Sequence, residues 1–274
     1  MHGFSCFILR FLAGVLIAGG TAAKVAAESE AIAAPQALTM TRTAVRPAGY
    51  DYLLSLPRGY ASDPARRWPL LVFLHGSGEC GTDVKRVAVN GPPKLLSPGA
   101  MLTDRERAAA TFLHEHFIVV SPQCQSEGIG WEDERVLGVM DDVAARFRVD
   151  AGRVYLTGIS MGGYGVWNLI WQHADRFAAA VPISAGGSYL DALNALDGTA
   201  PHMAELRLLA VWAFHGARDD IVPVAEDGRL TEALTKAGGD ARLTVDPEHG
   251  HDVWTTVYAD AEVYAWLLQH RRRP

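Results

Sequence analysis

The 274-residue chain is 49% hydrophobic and 20% charged, with a net charge of −6 at neutral pH. That composition fits a globular protein with a large core and excludes a disordered or fibrous chain. The acidic balance gives no electrostatic case for nucleic acid or an anionic membrane as partner, and the Arg271-Arg272-Arg273 run reads as a solvated tail.

Residues 1–27 differ in character from the rest. Arg10 precedes an apolar run over 11–18, small residues follow at 19–23, and Val25-Ala26-Ala27 offers a cleavage site, with Thr21-Ala22-Ala23 as competitor. This is the layout of a secretory signal peptide. The run is shorter than the ~20 residues that span a bilayer, so an uncleaved anchor is the weaker alternative. The sequence thus predicts a mature chain starting near Glu28, periplasmic or secreted and without a stable membrane anchor after processing. Cys6 lies before the apolar run and leaves with the leader. Residues 28–48 are alanine-rich and are expected to form a linker.

From 49 to 274 the chain reads as one domain. Residues 50–56 alternate loosely and close at Pro57-Arg58-Gly59, a strand and a turn. Residues 68–75 form a continuous apolar run closed by Gly76, as expected of a strand buried on both faces. Similar runs follow at 116–121, 153–157, 178–183, 208–214 and 242–245. Helical patterns lie between and after them at 103–114, 132–147, 161–173, 227–237 and 257–269. Alternation of this kind predicts a mostly parallel α/β sheet with helices on both faces. No repeat or low-complexity tract divides it.

The residues able to carry chemistry fall at the ends of these strands, where open α/β sheets bind ligands. Gly158-Ile159-Ser160-Met161-Gly162 matches Gly-x-Ser-x-Gly between an apolar run and a helical one, the setting of a nucleophile elbow. A serine hydroxyl becomes a nucleophile only when a base takes its proton. Two acids follow a later strand, Asp219 and Asp220, and two bases follow the last, His249 and His251. The order serine, acid, histidine is that of the α/β-hydrolase triad, and position alone does not choose within either pair. An oxyanion hole needs two backbone N–H groups: one from Met161, the other from Ser77 or Gly78 in His75-Gly76-Ser77-Gly78. His75 reads as a brace for that loop. The remaining cysteines, Cys80 and Cys124, invite a disulfide in an oxidising compartment, with two buried thiols as the alternative. Neither their spacing nor their neighbours suggest a metal site, and no cofactor motif is present.

Leu74-His75-Gly76-Ser77-Gly78-Glu79, Ser121-Pro122-Gln123-Cys124, the segment from Arg153 to Gly165, and Gly250-His251-Asp252-Val253-Trp254 together resemble bacterial α/β-hydrolase esterases of the phospholipase/carboxylesterase-like, dienelactone-hydrolase-like and prolyl-oligopeptidase-like group. The resemblance runs from about Tyr50 to Arg271. It implies an α/β-hydrolase fold and selects within both pairs. The family pattern His-Gly-x-x-Asp-x-x-Val-Pro places the acid at Asp219, and Gly-His-Asp-x-Trp places the base at His251. At Cys80 the family commonly carries arginine, and this departure favours a Cys80–Cys124 bond. The cysteine chemistry of dienelactone hydrolases proper does not apply, because the elbow carries serine.

These readings predict a serine carboxylester hydrolase working through an acyl-enzyme, on small soluble esters or on acyl or feruloyl groups of polysaccharides. The stretch 186–207 is too short for a large lid, which leaves an open cleft. Trp131 and Trp254 are expected to wall it for an acyl or aryl group, with a place in the core as the alternative for both. A serine peptidase of prolyl-oligopeptidase type shares the triad, and a non-catalytic binding scaffold shares the fold.

Overall fold

The strand Trp68–Leu74 is buried at every residue. Its even-numbered residues Trp68, Leu70, Val72 and Leu74 enter one apolar core, and its odd-numbered Leu71 and Phe73 enter another. Period-2 alternation sends neighbours to opposite faces, so an unbroken apolar run is what a doubly covered strand requires. In this computed structural model, residues 36–38 and 49–272 are described, apart from 127 and 129, and only the backbone of 36–38. The expected leader, Cys6 and most of the expected linker lie outside the described residues.

Among the described residues, eight strands form one sheet: β1 Gln36–Leu38, β2 Tyr52–Ser55, β3 Trp68–Leu74, β4 Ile118–Pro122, β5 Val149–Ile159, β6 Ala179–Ile183, β7 Ala210–Gly216 and β8 Asp240–Asp246, in the order β1-β2-β4-β3-β5-β6-β7-β8. The pairs β1·β2 and β2·β4 are antiparallel, and every later pair is parallel. Among the described residues, nine α-helices connect or follow the strands: α1 Gly91–Leu95, α2 Asp104–His116, α3 Asp133–Arg146, α4 Met161–Gln172, α5 Tyr189–Leu196, α6 Met203–Leu206, α7 Ala225–Lys236, α8 Trp254–Tyr258 and α9 Ala261–Leu267. Residues of α3, α4 and α7 fill the first core, and those of α1, α2, α8 and α9 fill the second. No described helix is long and apolar enough to cross a membrane.

Most expected elements are found, with three corrections. The stretch expected to be a linker contains a strand, β1, which pairs with β2. Three residues with no alternation give a sequence pattern nothing to detect. The strand expected over 153–157 begins at Val149, and the register shift between Trp68 and Leu70 lets it continue through the polar Asp150-Ala151-Gly152. The single helix expected over 257–269 is two. Asp260 interrupts it, its carboxylate accepting from the Glu262 N–H and capping α9.

Register brings the parallel strand ends level. Leu74 lies beside Gly158, Ile159 beside Ile183, and Gly216 beside Asp246. The loops that follow β3, β5, β7 and β8 therefore leave the same edge of the sheet.

Candidate active site

At that edge β5 turns abruptly into α4. Ser160 occupies the turn with φ 49° and ψ −119°, a conformation costly for any L-residue with a side chain. The turn is possible because its flanking residues lack Cβ atoms. A Cβ on Gly162 would sit 2.0 Å from the Leu74 carbonyl oxygen, and one on Gly158 would sit 2.5 Å from that of Gly162. Gly162→Ala is therefore expected to cost about 3 kcal/mol or more, since backbone rather than a flexible side chain must move. Urea unfolding checks this.

The imidazole of His251, in the loop after β8, meets the serine. Its Nε2 lies 2.9 Å from Ser160 Oγ and its Nδ1 lies 2.8 Å from Asp219 Oδ2. Asp219 accepts only, so Nδ1 carries the proton and Nε2 is left to accept from the serine hydroxyl. The Asp219 side chain is fully buried, and its Oδ1 accepts the Ile221 and Val222 N–H groups at 2.9 and 2.8 Å. Burial raises a carboxyl, but here the Val222 N–H, His251 and the Ile221 N–H outweigh it and hold Asp219 below its usual range. The other member of each pair lies elsewhere. Asp220 is exposed, and His249 Nδ1 lies 2.9 Å from Asp246 Oδ2.

Ser77 and Gly78 open a 3₁₀ turn, Ser77–Glu79, directly after β3. The close approach of Gly162 to the Leu74 and His75 carbonyls brings this loop against the first turn of α4, where Met161 is the first residue. The N–H groups of a first helical turn have no intrahelical acceptor, so that of Met161 remains available. Around the loop stands a brace that the sequence indicated only at His75. Gln123 Nε2 donates to the Glu79 carbonyl at 2.7 Å, Asn90 donates to the Glu79 carboxylate at 2.6 Å, and Arg86 donates to the Gly78 carbonyl at 2.7 Å. A guanidinium thus reaches this loop from Arg86, although position 80 carries cysteine.

His75 is fully buried. Its Nε2 accepts the Cys124 N–H at 2.9 Å while Nδ1 donates to the Gly76 carbonyl at 2.7 Å, so the ring is held neutral. Burial pushes its pKa down to about 4. Between pH 6.5 and 4 the unfolded chain binds a proton that the folded chain refuses, so stability present above the unfolded value is lost as pH falls. His75 alone should remove about 3 kcal/mol across that window. Urea midpoints from pH 7 to 4 should fall less steeply for His75→Gln than for the parent.

Two expectations are corrected here. Trp131 does not wall the cleft: it is buried, donates its indole N–H to the His75 carbonyl at 3.2 Å, and packs edge-on against His75 and Tyr50. Its partner is a carbonyl of the loop, which a sequence cannot display. Trp254 lies edge-on to His251, with ring centroids 5.2 Å apart. Cys80 and Cys124 are not joined in a disulfide. The Cys124 thiol is turned toward the carbonyls of Ser126 and Gly130, at 3.4 and 3.2 Å.

The sheet and its helical layers are those of the α/β-hydrolase fold. Residues 194–273 match the prolyl oligopeptidase family. The chain is 27% identical over 189 residues to probable feruloyl esterase C of Aspergillus terreus, covering 68% of this chain and 60% of that protein. It is 28% identical over 114 residues to a bifunctional acetylxylan esterase/xylanase of Neocallimastix patriciarum, covering 39% and 15%. Among solved structures it is similar to a thermostable esterase, at 26% identity and a TM-score of 0.67, covering 88% of this chain and 64% of the other. A ferulic acid esterase shares the fold at 18% identity and a TM-score of 0.64, covering 86% and 98%. The chain thus spans 60% of the length of one curated relative and 15% of the other.

Proposed function

We propose that the protein is a serine carboxylester hydrolase acting through an acyl-enzyme. The observation that carries this reading is the contact chain from Ser160 Oγ through His251 to Asp219, at 2.9 and 2.8 Å. In the first half-reaction Ser160 Oγ attacks the ester carbonyl carbon as its proton passes to His251 Nε2. Asp219 stabilises the imidazolium that forms. The N–H of Met161, with that of Ser77 or Gly78, faces the developing oxyanion. Collapse of the tetrahedral intermediate breaks the bond to the alkoxy oxygen, and His251 returns the proton to the departing alcohol. In the second half-reaction water, deprotonated by His251, attacks the acyl-serine and releases the acid.

For the substrate, the names of the two curated relatives support acyl and feruloyl groups carried by polysaccharide, with small soluble esters as simpler members of the class. Trp254 beside His251 supplies an aromatic surface for an aryl or acyl group. The prolyl oligopeptidase match favours a second reading, a serine peptidase with the same triad. The leader-like segment 1–27 supports export of the mature enzyme.

A panel of p-nitrophenyl acetate, longer p-nitrophenyl esters, methyl ferulate and a peptidyl amide tests these readings. Hydrolysis of the esters with the amide left intact is expected. Preferential turnover of the amide would move the protein to the peptidase reading, and no turnover of any member would remove the enzymatic one.

A further inference from the structure

Behind the site, at the end of β7, His215 is fully buried, and each of its nitrogens faces oxygen acceptors. Nδ1 lies 2.7 Å from Asp227 Oδ2, while Nε2 lies 2.9 Å from the Val222 carbonyl and 3.1 Å from Asp219 Oδ2. A neutral imidazole has one nitrogen without a proton, and here either choice sets its lone pair against oxygen unless Asp227 keeps a proton of its own. Asp227 is better placed as a carboxylate. Its Oδ1 accepts the Trp167 indole N–H at 2.6 Å, and its Oδ2 also accepts the Ala185 N–H at 3.0 Å. Three donors from α4, the end of β6 and the end of β7 thus converge on one carboxylate, which favours the charged form.

We infer that His215 is a buried imidazolium paired with Asp227, and that it serves as a positioning residue, holding Asp219 toward His251 and offsetting part of its charge. The consequence for catalysis rests on the esterase reading given above. With His215 protonated, the buried set of Asp219, Asp227 and His215 carries one net negative charge, and protonation of His251 during the reaction neutralises it. With a neutral residue at 215, two uncompensated carboxylates would stand behind His251, favouring its imidazolium before substrate is attacked.

The surroundings agree with this assignment. Burial opposes the charge on His215, but the Asp227 bond, the Val222 carbonyl and the charges of Asp227 and Asp219 outweigh it and hold the imidazolium above its ordinary range. The same burial pushes Asp227 up, and the one shared proton stays on His215 because Trp167 and Ala185 both donate to the carboxylate. From α4 the Tyr164 phenol is itself raised by burial and by the charges of Glu226, Asp227 and Asp219. From α7, Glu226 is bound to Arg229 at 2.6 Å. From the loop after β8 comes His251, through Asp219, and Arg218 is held outward by Glu248 at 2.8 Å. The β6 end contributes the Ala185 N–H and no ionisable side chain of its own.

The test is ring ¹⁵N–¹H correlation spectroscopy on the full chain with labelled histidine, between pH 5.5 and 9.5. His215→Gln and His251→Ala spectra assign the two rings. His215 should show the imidazolium pattern on both nitrogens at pH 8. In His215→Gln, which carries no charge, the His251 Nδ1–H resonance, which reports the bond to Asp219, should move away from its parent position. A neutral tautomer at His215 at pH 8, or a His251 Nδ1–H resonance unmoved in His215→Gln, overturns the inference. If His215→Gln does not fold, Asp227→Asn is read in its place: loss of the imidazolium pattern supports the pair and its persistence overturns it. None of these readouts needs turnover, so failure of the ester assays would sink the esterase reading without touching this one.

Discussion

Ser160→Ala is expected to lower kcat/KM on a p-nitrophenyl ester by about 10⁴-fold or more while leaving the urea midpoint nearly unchanged. The size follows from what the hydroxyl does in the proposed mechanism. Without it no acyl-enzyme forms, and only substrate binding and the backbone donors at Met161 and the 77–78 loop remain. The neutrality for folding follows from the local structure. The hydroxyl's contact is with His251, and alanine pays the same backbone strain at φ 49° as serine does. Glycine adopts that region freely, so Ser160→Gly should be as inactive as alanine and more stable by about 1 kcal/mol. A glycine variant no more stable than the alanine one would mean that the turn is not strained. An alanine variant retaining a tenth of the parent activity would mean that Ser160 is not the nucleophile.

That strain explains why the elbow could be located in the sequence at all. Close packing of Gly162 on the Leu74 carbonyl imposes a composition, small residues around a serine, and composition is visible without a structure. The parallel strands were legible for a similar reason. Burial on both faces demands an apolar run, and β3 and β6 supply one, with β4 broken only by the buried Ser121. β8 was recognisable only by its place in the alternation, since as an edge strand much of it is exposed.

What escaped the sequence was chiefly the polar support of the site. Arg86, Asn90 and Gln123 act on carbonyls or on a carboxylate brought near by folding, and no spacing announces such contacts. Asp227 did leave a trace. It shares a helix face with Leu230, Thr231 and Leu234, at i, i+3, i+4 and i+7, so it stands as an acid within a buried stripe. A carboxylate there requires donors, so an acid at the head of a buried face is the trace from which a buried, hydrogen-bonded Asp227 could be expected, though not its partner. Trp131 shows the converse. Its place in the loop before α3 suggested the cleft, and only the folded chain reveals that its indole reaches the His75 carbonyl.

The second large effect separates two histidines that lie two residues apart. His251→Ala should lower kcat/KM about as far as Ser160→Ala does, because members of a triad act as a unit. His249→Ala should lower it less than about tenfold, in keeping with a residue that acts through no reacting atom. The geometry accounts for the contrast. His251 joins Ser160 and Asp219 at 2.9 and 2.8 Å, whereas His249 faces Asp246, 2.9 Å away at the end of β8. His249 also offers its carbonyl to the Arg218 N–H at 3.0 Å, a backbone contact that survives the substitution. What His249→Ala removes is the partner that helps hold Asp246 below the usual carboxyl range, so its visible consequence should be a small change in stability. Measuring kcat/KM for both variants on one ester, with circular dichroism to confirm that each is folded, decides the assignment. A loss of several orders of magnitude for His249→Ala with His251→Ala spared would transfer the general base to His249. That result would also require the loop after β8 to turn over during catalysis, since only one of the two imidazoles faces Ser160 in this arrangement.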